Sequence, residues 1–196
     1  MMVSTHLVTG FFAGAGLVSF LHLHDMAAVG LLIGATGGAL LPDIDHPKSW
    51  LGRRIPFISM PIAAVFGHRG ITHSLLAVVG LALALRYGLA QWQLVGTGWA
   101  LVAVGVAAGY LSHIAGDFVT HGGVPLLWPV KRRFSSPLTF LTGGAFERLL
   151  GFALALGAGW VLLEHFAPEV LDYVLKHTLT VLRSLATFAV RAIGAV

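Results

Sequence analysis

The sequence predicts an all-α, polytopic membrane helix bundle of about five or six helices, with a metal site at the cytoplasmic face. Three observations predict it. Hydrophobic residues make up 57% of the chain and charged residues only 10%, with a mean hydropathy of +0.86. A soluble domain carries about a quarter charged residues, so lipid must cover much of this surface. Apolar runs close to span length recur along the chain. The polar residues that interrupt them gather in three short histidine and aspartate motifs.

The elements follow in order, within a single domain over residues 1–196. Leu7 to Leu21 is apolar and glycine-rich, and Met26 to Leu41 is a second such run. The first lacks the basic n-region and small-residue cleavage site of a signal peptide, so it is expected to remain as a span. Ser74 to Leu89, interrupted by Arg86, is the third run. Leu94 to Leu111 is the fourth, with helix extending toward Asp117. Leu149 to Leu163 is the fifth. Val170 to Val196 reads as a sixth helix carrying Lys176, Arg183 and Arg191, and its sequence leaves open whether it spans or lies in the interface. Ile55 to Phe66 is too short and proline-broken for a normal span and reads as re-entrant or interfacial. The absence of cysteine restricts any metal to nitrogen and oxygen ligands.

Charge orients the bundle. Lys48, Arg53, Arg54 and Arg69 fall in one connection, and Lys131, Arg132, Arg133 and Arg148 in another on the same side. The positive-inside rule makes that side cytoplasmic. The net charge of +4 then reflects topology and anionic lipid, and no nucleic-acid partner is expected.

The motifs converge on that side. Pro42 stops the second helix, and Asp43, Asp45 and His46 follow it. In an extended segment Asp43 and Asp45 would point the same way; a polar capping turn is the plain alternative. His68 and His73 flank Arg69, Gly70 and Thr72, where a glycine bend followed by a Ser74 or Thr72 cap would turn both imidazoles to one point. A basic interfacial loop is the alternative there. His113 and Asp117, four apart on a helix, share a face, as two ligands do or a ligand and its hydrogen-bond partner. His6 lies at the start of the first span on the same side. His22, His24, His165 and His177 read as interfacial histidines near the opposite face or in the last segment. Glu147 beside Arg148 is a candidate general base or half of an ordinary ion pair. Val124 to Pro129 followed by Lys131, Arg132 and Arg133 has the apolar, aromatic and then basic pattern of an interfacial segment.

Together, Leu41-Pro42-Asp43-Ile44-Asp45-His46-Pro47, Gly67-His68-Arg69-Gly70-Ile71-Thr72-His73-Ser74, Ser112-His113 with Asp117, and the Gly123 to Pro129 stretch resemble the YdjM-like family of LexA-regulated, membrane-bound metal-dependent hydrolases. The resemblance covers roughly residues 5 to 150. His6 and Glu147 also look like positions the family uses, whereas His121 departs from the pattern. The order of the motifs is more distantly similar to zinc-dependent phospholipase C. The resemblance implies a bacterial or archaeal inner-membrane location and a divalent metal, zinc first and manganese second.

The expected activity is hydrolysis of a phosphoester of a lipid or lipid-linked substrate by metal-activated water. His6, Asp45, His46, His68, His73, His113 and Asp117 are the expected ligands of one or more ions. Arg69, with Lys131, is expected to bind phosphate, and Asp43 or Glu147 to move the proton. A metal transporter or non-catalytic metal-binding membrane protein is the rival from another class, because His and Asp also line ion paths. Amide hydrolysis with the same ligands is the third reading.

Overall fold

The computed structural model describes residues 1–130 and 132–193, with side chains as far as residue 187. Lys131, the side chain of Arg191 and the expected helix end at Val196 therefore lie outside the described residues. Among the described residues, seven α-helices and two 3-10 turns run α1 (Val3–Phe20), α2 (Asp25–Gly38), a 3-10 turn Pro42–Asp45, α3 (Pro56–Phe66), a 3-10 turn Ile71–His73, α4 (Leu75–Gln91), α5 (Gly98–Phe118), α6 (Ala145–Phe166) and α7 (Pro168–Ile193).

Local sequence sets most of these boundaries. Ser74 caps α4 by accepting the Ala77 N–H at 3.2 Å, and Thr97 caps α5 by accepting from Trp99 at 3.3 Å. Pro42 starts its 3-10 turn, and Pro168 opens α7. Asp43 and Asp45 thus sit on a 3-10 turn, not in the extended segment the sequence suggested. Their side chains leave the backbone in different directions, and they play different parts below.

Among the described residues, four of the six runs form helices long and apolar enough to cross a membrane: Val3–Phe20, Asp25–Asp45, Gly98–Phe118 and Ala145–Phe166. α4 is apolar but has 17 residues, just short of the others. α7 is not among the four, because polar and apolar residues alternate around it at helical period. α3 has 11 residues, about 16 Å, and cannot span.

The centre of the bundle is the contact between α2 and α5. A Cβ at Gly34 or Gly38 would overlap the backbone of Val102 or Val106, and one at Gly105 or Gly109 would overlap that of Leu31 or Ala35. Glycines on both helices therefore let two backbones touch, and the partner helix belongs to the same chain. α1 packs over this pair and against α6. Val18, Ala28 and Leu31 fill the interior toward one end, and Tyr110, Ile114 and Val124 toward the other. Large apolar side chains such as Ile33, Leu83 and Phe152 face outward on the spans, as a lipid-covered surface requires.

This threading brings the start of α1, the end of α2, the start of α4, the end of α5 and the start of α6 to one end of the bundle. All three motifs arrive there.

Candidate metal centre

The centre is built on two imidazoles. His113 Nδ1–H donates to the carbonyl of Ala39, 2.7 Å away at the end of α2. His73 Nδ1–H donates to Asp45 Oδ2 at 3.2 Å. Each bond fixes a tautomer with the proton on Nδ1 and a lone pair on Nε2. The two Nε2 atoms then face each other at 3.2 Å in a fully buried site. Two facing lone pairs repel unless a cation sits with both, so this arrangement fits a metal ion.

Carboxylates complete the set. Asp43 Oδ1 lies 4.0 Å from His73 Nε2 and 3.7 Å from His113 Nε2. Asp117 Oδ2 lies 3.6 Å and 3.8 Å from the same two atoms. Donors about 2.0–2.1 Å from a tetrahedral zinc are ~3.3 Å apart, so these separations are close to those of a ligand shell. His6, His113 and Asp117 form a second group able to hold an ion, with His6 Nε2 3.4 Å from Asp117 Oδ1. The His6 ring stacks on His113 at 3.6 Å between centroids, and its Nδ1 is buried without a hydrogen-bond partner among the described residues. An orphaned buried nitrogen beside this cluster is a further fit to a metal.

Asp45 serves the imidazoles. Its oxygens accept from His68 Nδ1–H at 3.0 Å, the Gly70 N–H at 3.3 Å, the Thr72 hydroxyl and His73. Four donors hold this buried carboxylate, which in turn aims His73. Gly70 is required for that approach, because a Cβ there would collide with the Phe66 carbonyl. The Tyr110 hydroxyl donates to the Thr72 carbonyl and braces the turn against α5.

Asp117 is the most crowded group. Arg69 Nη2 pairs with its Oδ2 at 2.8 Å, and the Met1 amino group with its Oδ1. Arg69, expected to bind phosphate, is thus already engaged with a candidate ligand, and it also donates to the Gly123 carbonyl at 3.2 Å. Glu147 is buried at the start of α6 and accepts the Met2 and Gly143 N–H groups at 2.6 Å each. It ties the first residues of the chain to the bundle instead of pairing with Arg148.

Above the buried cluster lies a cleft of ≈ 490 Å³, lined by Asp43, His46, Lys48, Trp50, Arg53, His68, Arg69 and Asp117. His46 and His68 stack at its rim, 4.4 Å between centroids, and among the described residues neither enters a three-ligand group. Partial burial and the neighbouring His68 push the His46 pKa down. His121 is exposed and outside the cluster, where the helix has already ended at Phe118. A larger groove of ≈ 580 Å³ between α4 and α5 is lined by apolar residues and Arg86 and holds no metal-ligating side chain.

The model of a family described as the YdjM inner membrane protein matches residues 1–190. The chain belongs to the YdjM family. It is 49% identical over 135 residues to the inner membrane protein YdjM of Escherichia coli and to that of Shigella flexneri, covering 66% of this chain and 64% of each relative. It thus spans a little under two thirds of those relatives. An uncharacterized Bacillus subtilis protein, YvsG, is 34% identical over 130 residues, covering 65% of this chain and 76% of that one. No solved structure matches. As a YdjM-family member with four span-length helices, the protein is an inner-membrane protein.

In this YdjM-family protein, the fold unites His6, Asp43, His73, His113 and Asp117, with Asp45 behind them and His46 and His68 at the rim. Sequence reasoning missed the Ala39 carbonyl and Tyr110, which no motif marks. It read Lys48 and Arg53 only as topology signals. Their position just after Asp43-Ile44-Asp45-His46 was the available clue to the cleft.

Proposed function

We propose that this protein is a metal-dependent hydrolase that cleaves a phosphoester of a lipid or lipid-linked substrate. The observation that carries the reading is the pair of Nε2 lone pairs, 3.2 Å apart, beneath a cleft rimmed with cations. Asp43, His73, His113 and Asp117 would hold the ion, with His6 beside them. A divalent ion there, zinc first and manganese second on this ligand chemistry, supplies Lewis acidity and an acidified water.

The chain's own residues do the rest. Lys48 and Arg53 line the cleft and would draw a phosphate group toward its floor. Arg69, paired with Asp117, favours the charged form of that carboxylate and would stand beside a phosphate bound in the cleft. His68 has a side chain 44% exposed and is anchored through Nδ1 to Asp45, so its Nε2 is placed to take or return a proton at the cleft. The excess of cations over free carboxylates at the rim favours phosphate over a neutral amide.

The interior beyond the cluster supports an enzyme over a transporter. Toward the other end it is filled by Val18, Ala28 and Leu31, with no polar path among the described residues. The basic connections lie at the metal end, so that end faces the cytoplasm on the positive-inside rule.

The test is phosphate-ester release from phospholipid and lipid-linked phosphate substrates by detergent-purified protein. Turnover should vanish with chelator, return with zinc or manganese, and be absent in His113→Ala. Equal turnover in His113→Ala and wild type would overturn the reading.

A further inference from the structure

Helix α7 has no part in the metal centre, and it is built differently from every other helix. Val170, Leu171, Val174, Leu175, Val181, Leu182 and Leu185 share one half of its circumference; Glu169, Asp172, Lys176, Thr180, Arg183 and Ser184 share the other. Leu171, near the start, is buried, but beyond it the apolar half is not covered by the bundle. Val174, Val181, Leu182 and Leu185 are each about half exposed, and the main packing partner of α7 is α6, from which it departs.

We propose that α7 lies in the plane of the membrane, its apolar half sunk into the leaflet opposite the metal centre. Three features select a lipid surface as the occupant. α6 starts at the metal end and crosses the bundle, so its last residue, Phe166, delivers the chain to the opposite interface, where Pro168 opens α7. The apolar arc covers about half the helix, the profile of a helix half-immersed at the headgroup boundary; a seam between two helices needs only a narrow stripe. Charged residues weigh against a lipid-exposed span. Asp172 and Lys176 pair with each other on the outer face, with side chains 61% and 72% exposed, and a spanning α7 would hold them in hydrocarbon.

The inference is independent of the proposed hydrolysis. It assigns α7 to the phospholipid surface on the far side, anchoring α6 and with it the packing of α1.

The absence of native cysteine makes the test direct. Single cysteines at Val174, Thr180, Leu182, Arg183 and Leu185 would be spin-labelled in the whole protein in phospholipid nanodiscs. Collisions with oxygen and with a water-soluble nickel chelate then give the depth of each label. The expected result is one shallow depth for positions 174, 182 and 185, and aqueous exposure at 180 and 183. Depth that changes steadily from 174 to 185 would overturn the proposal in favour of a span. Apolar positions shielded from both reagents, with coupling between labels of two molecules, would overturn it in favour of a second copy. All these sites are exposed, and a variant's elution profile beside wild type identifies any that misfold; Val181 then replaces the failed apolar site.

Discussion

His113 donates its Nδ1 proton to the Ala39 carbonyl over 2.7 Å, and that single bond couples α5 to the end of α2 and decides which nitrogen faces the centre. A ligand imidazole needs its other nitrogen held in this way. Replacing His113 by alanine removes the ligand and leaves the seam of glycines intact. We expect bound transition metal to fall from about one equivalent to background, with membrane insertion unchanged, by elemental mass spectrometry of the purified protein. Full metal content in the variant would refute the assignment.

Asp45 offers a subtler test. It touches His73 and His68, and the ligand atoms only through them. Asp45→Asn keeps the shape but weakens the orientation of His73. Loss of such a partner costs roughly 10–100-fold in metal affinity. Competition with a chromogenic chelator should find that loss; an unchanged affinity would show that His73 is aimed by something else.

Lys48 and Arg53 line the cleft and have no ligand role. The double replacement Lys48→Ala with Arg53→Ala should leave metal content at the wild-type level. It should raise KM for a phosphoester substrate at least several-fold, and KM should become less sensitive to salt. A drop in kcat alone, with KM unchanged, would place these cations outside substrate binding.

The glycine seam predicts stability. Gly105→Val would push a branched side chain into the Leu31 carbonyl and the Ala35 amide. Overpacking of this kind costs about 1–3 kcal/mol, and more where backbone must move. Gly80, where a side chain would meet nothing, is the control. Thermal unfolding in detergent should show a clear fall for Gly105→Val and little change for Gly80→Ala.

Much of the site was legible because its motifs are polar islands in an apolar chain. Asp43, His73, His113 and Asp117 stood out on cost alone, since no lipid-facing helix keeps such residues. The division of labour was not legible. The sequence assigned Asp45 to the metal and Asp43 to proton transfer, yet the 3-10 turn points Asp43 at the Nε2 pair and gives Asp45 four donors. Arg69 was expected to meet phosphate, but its pairing with Asp117 depends on a turn conformation with φ of 55° at Arg69 that spacing does not reveal. Of the helices, α1, α2, α5 and α6 were readable from hydropathy. α7 was readable as a helix but not in its placement, because its period, not its mean hydropathy, carries the information.

The backbone contact between α2 and α5 has one more consequence. Asp43 follows α2 and His113 and Asp117 sit on α5, so three of the candidate ligands hang from two rods joined main chain to main chain. When the surrounding bilayer thins or thickens, helices respond by tilting. These two must tilt as one body, which keeps Asp43, His113 and Asp117 at the same spacing when the bilayer thickness changes.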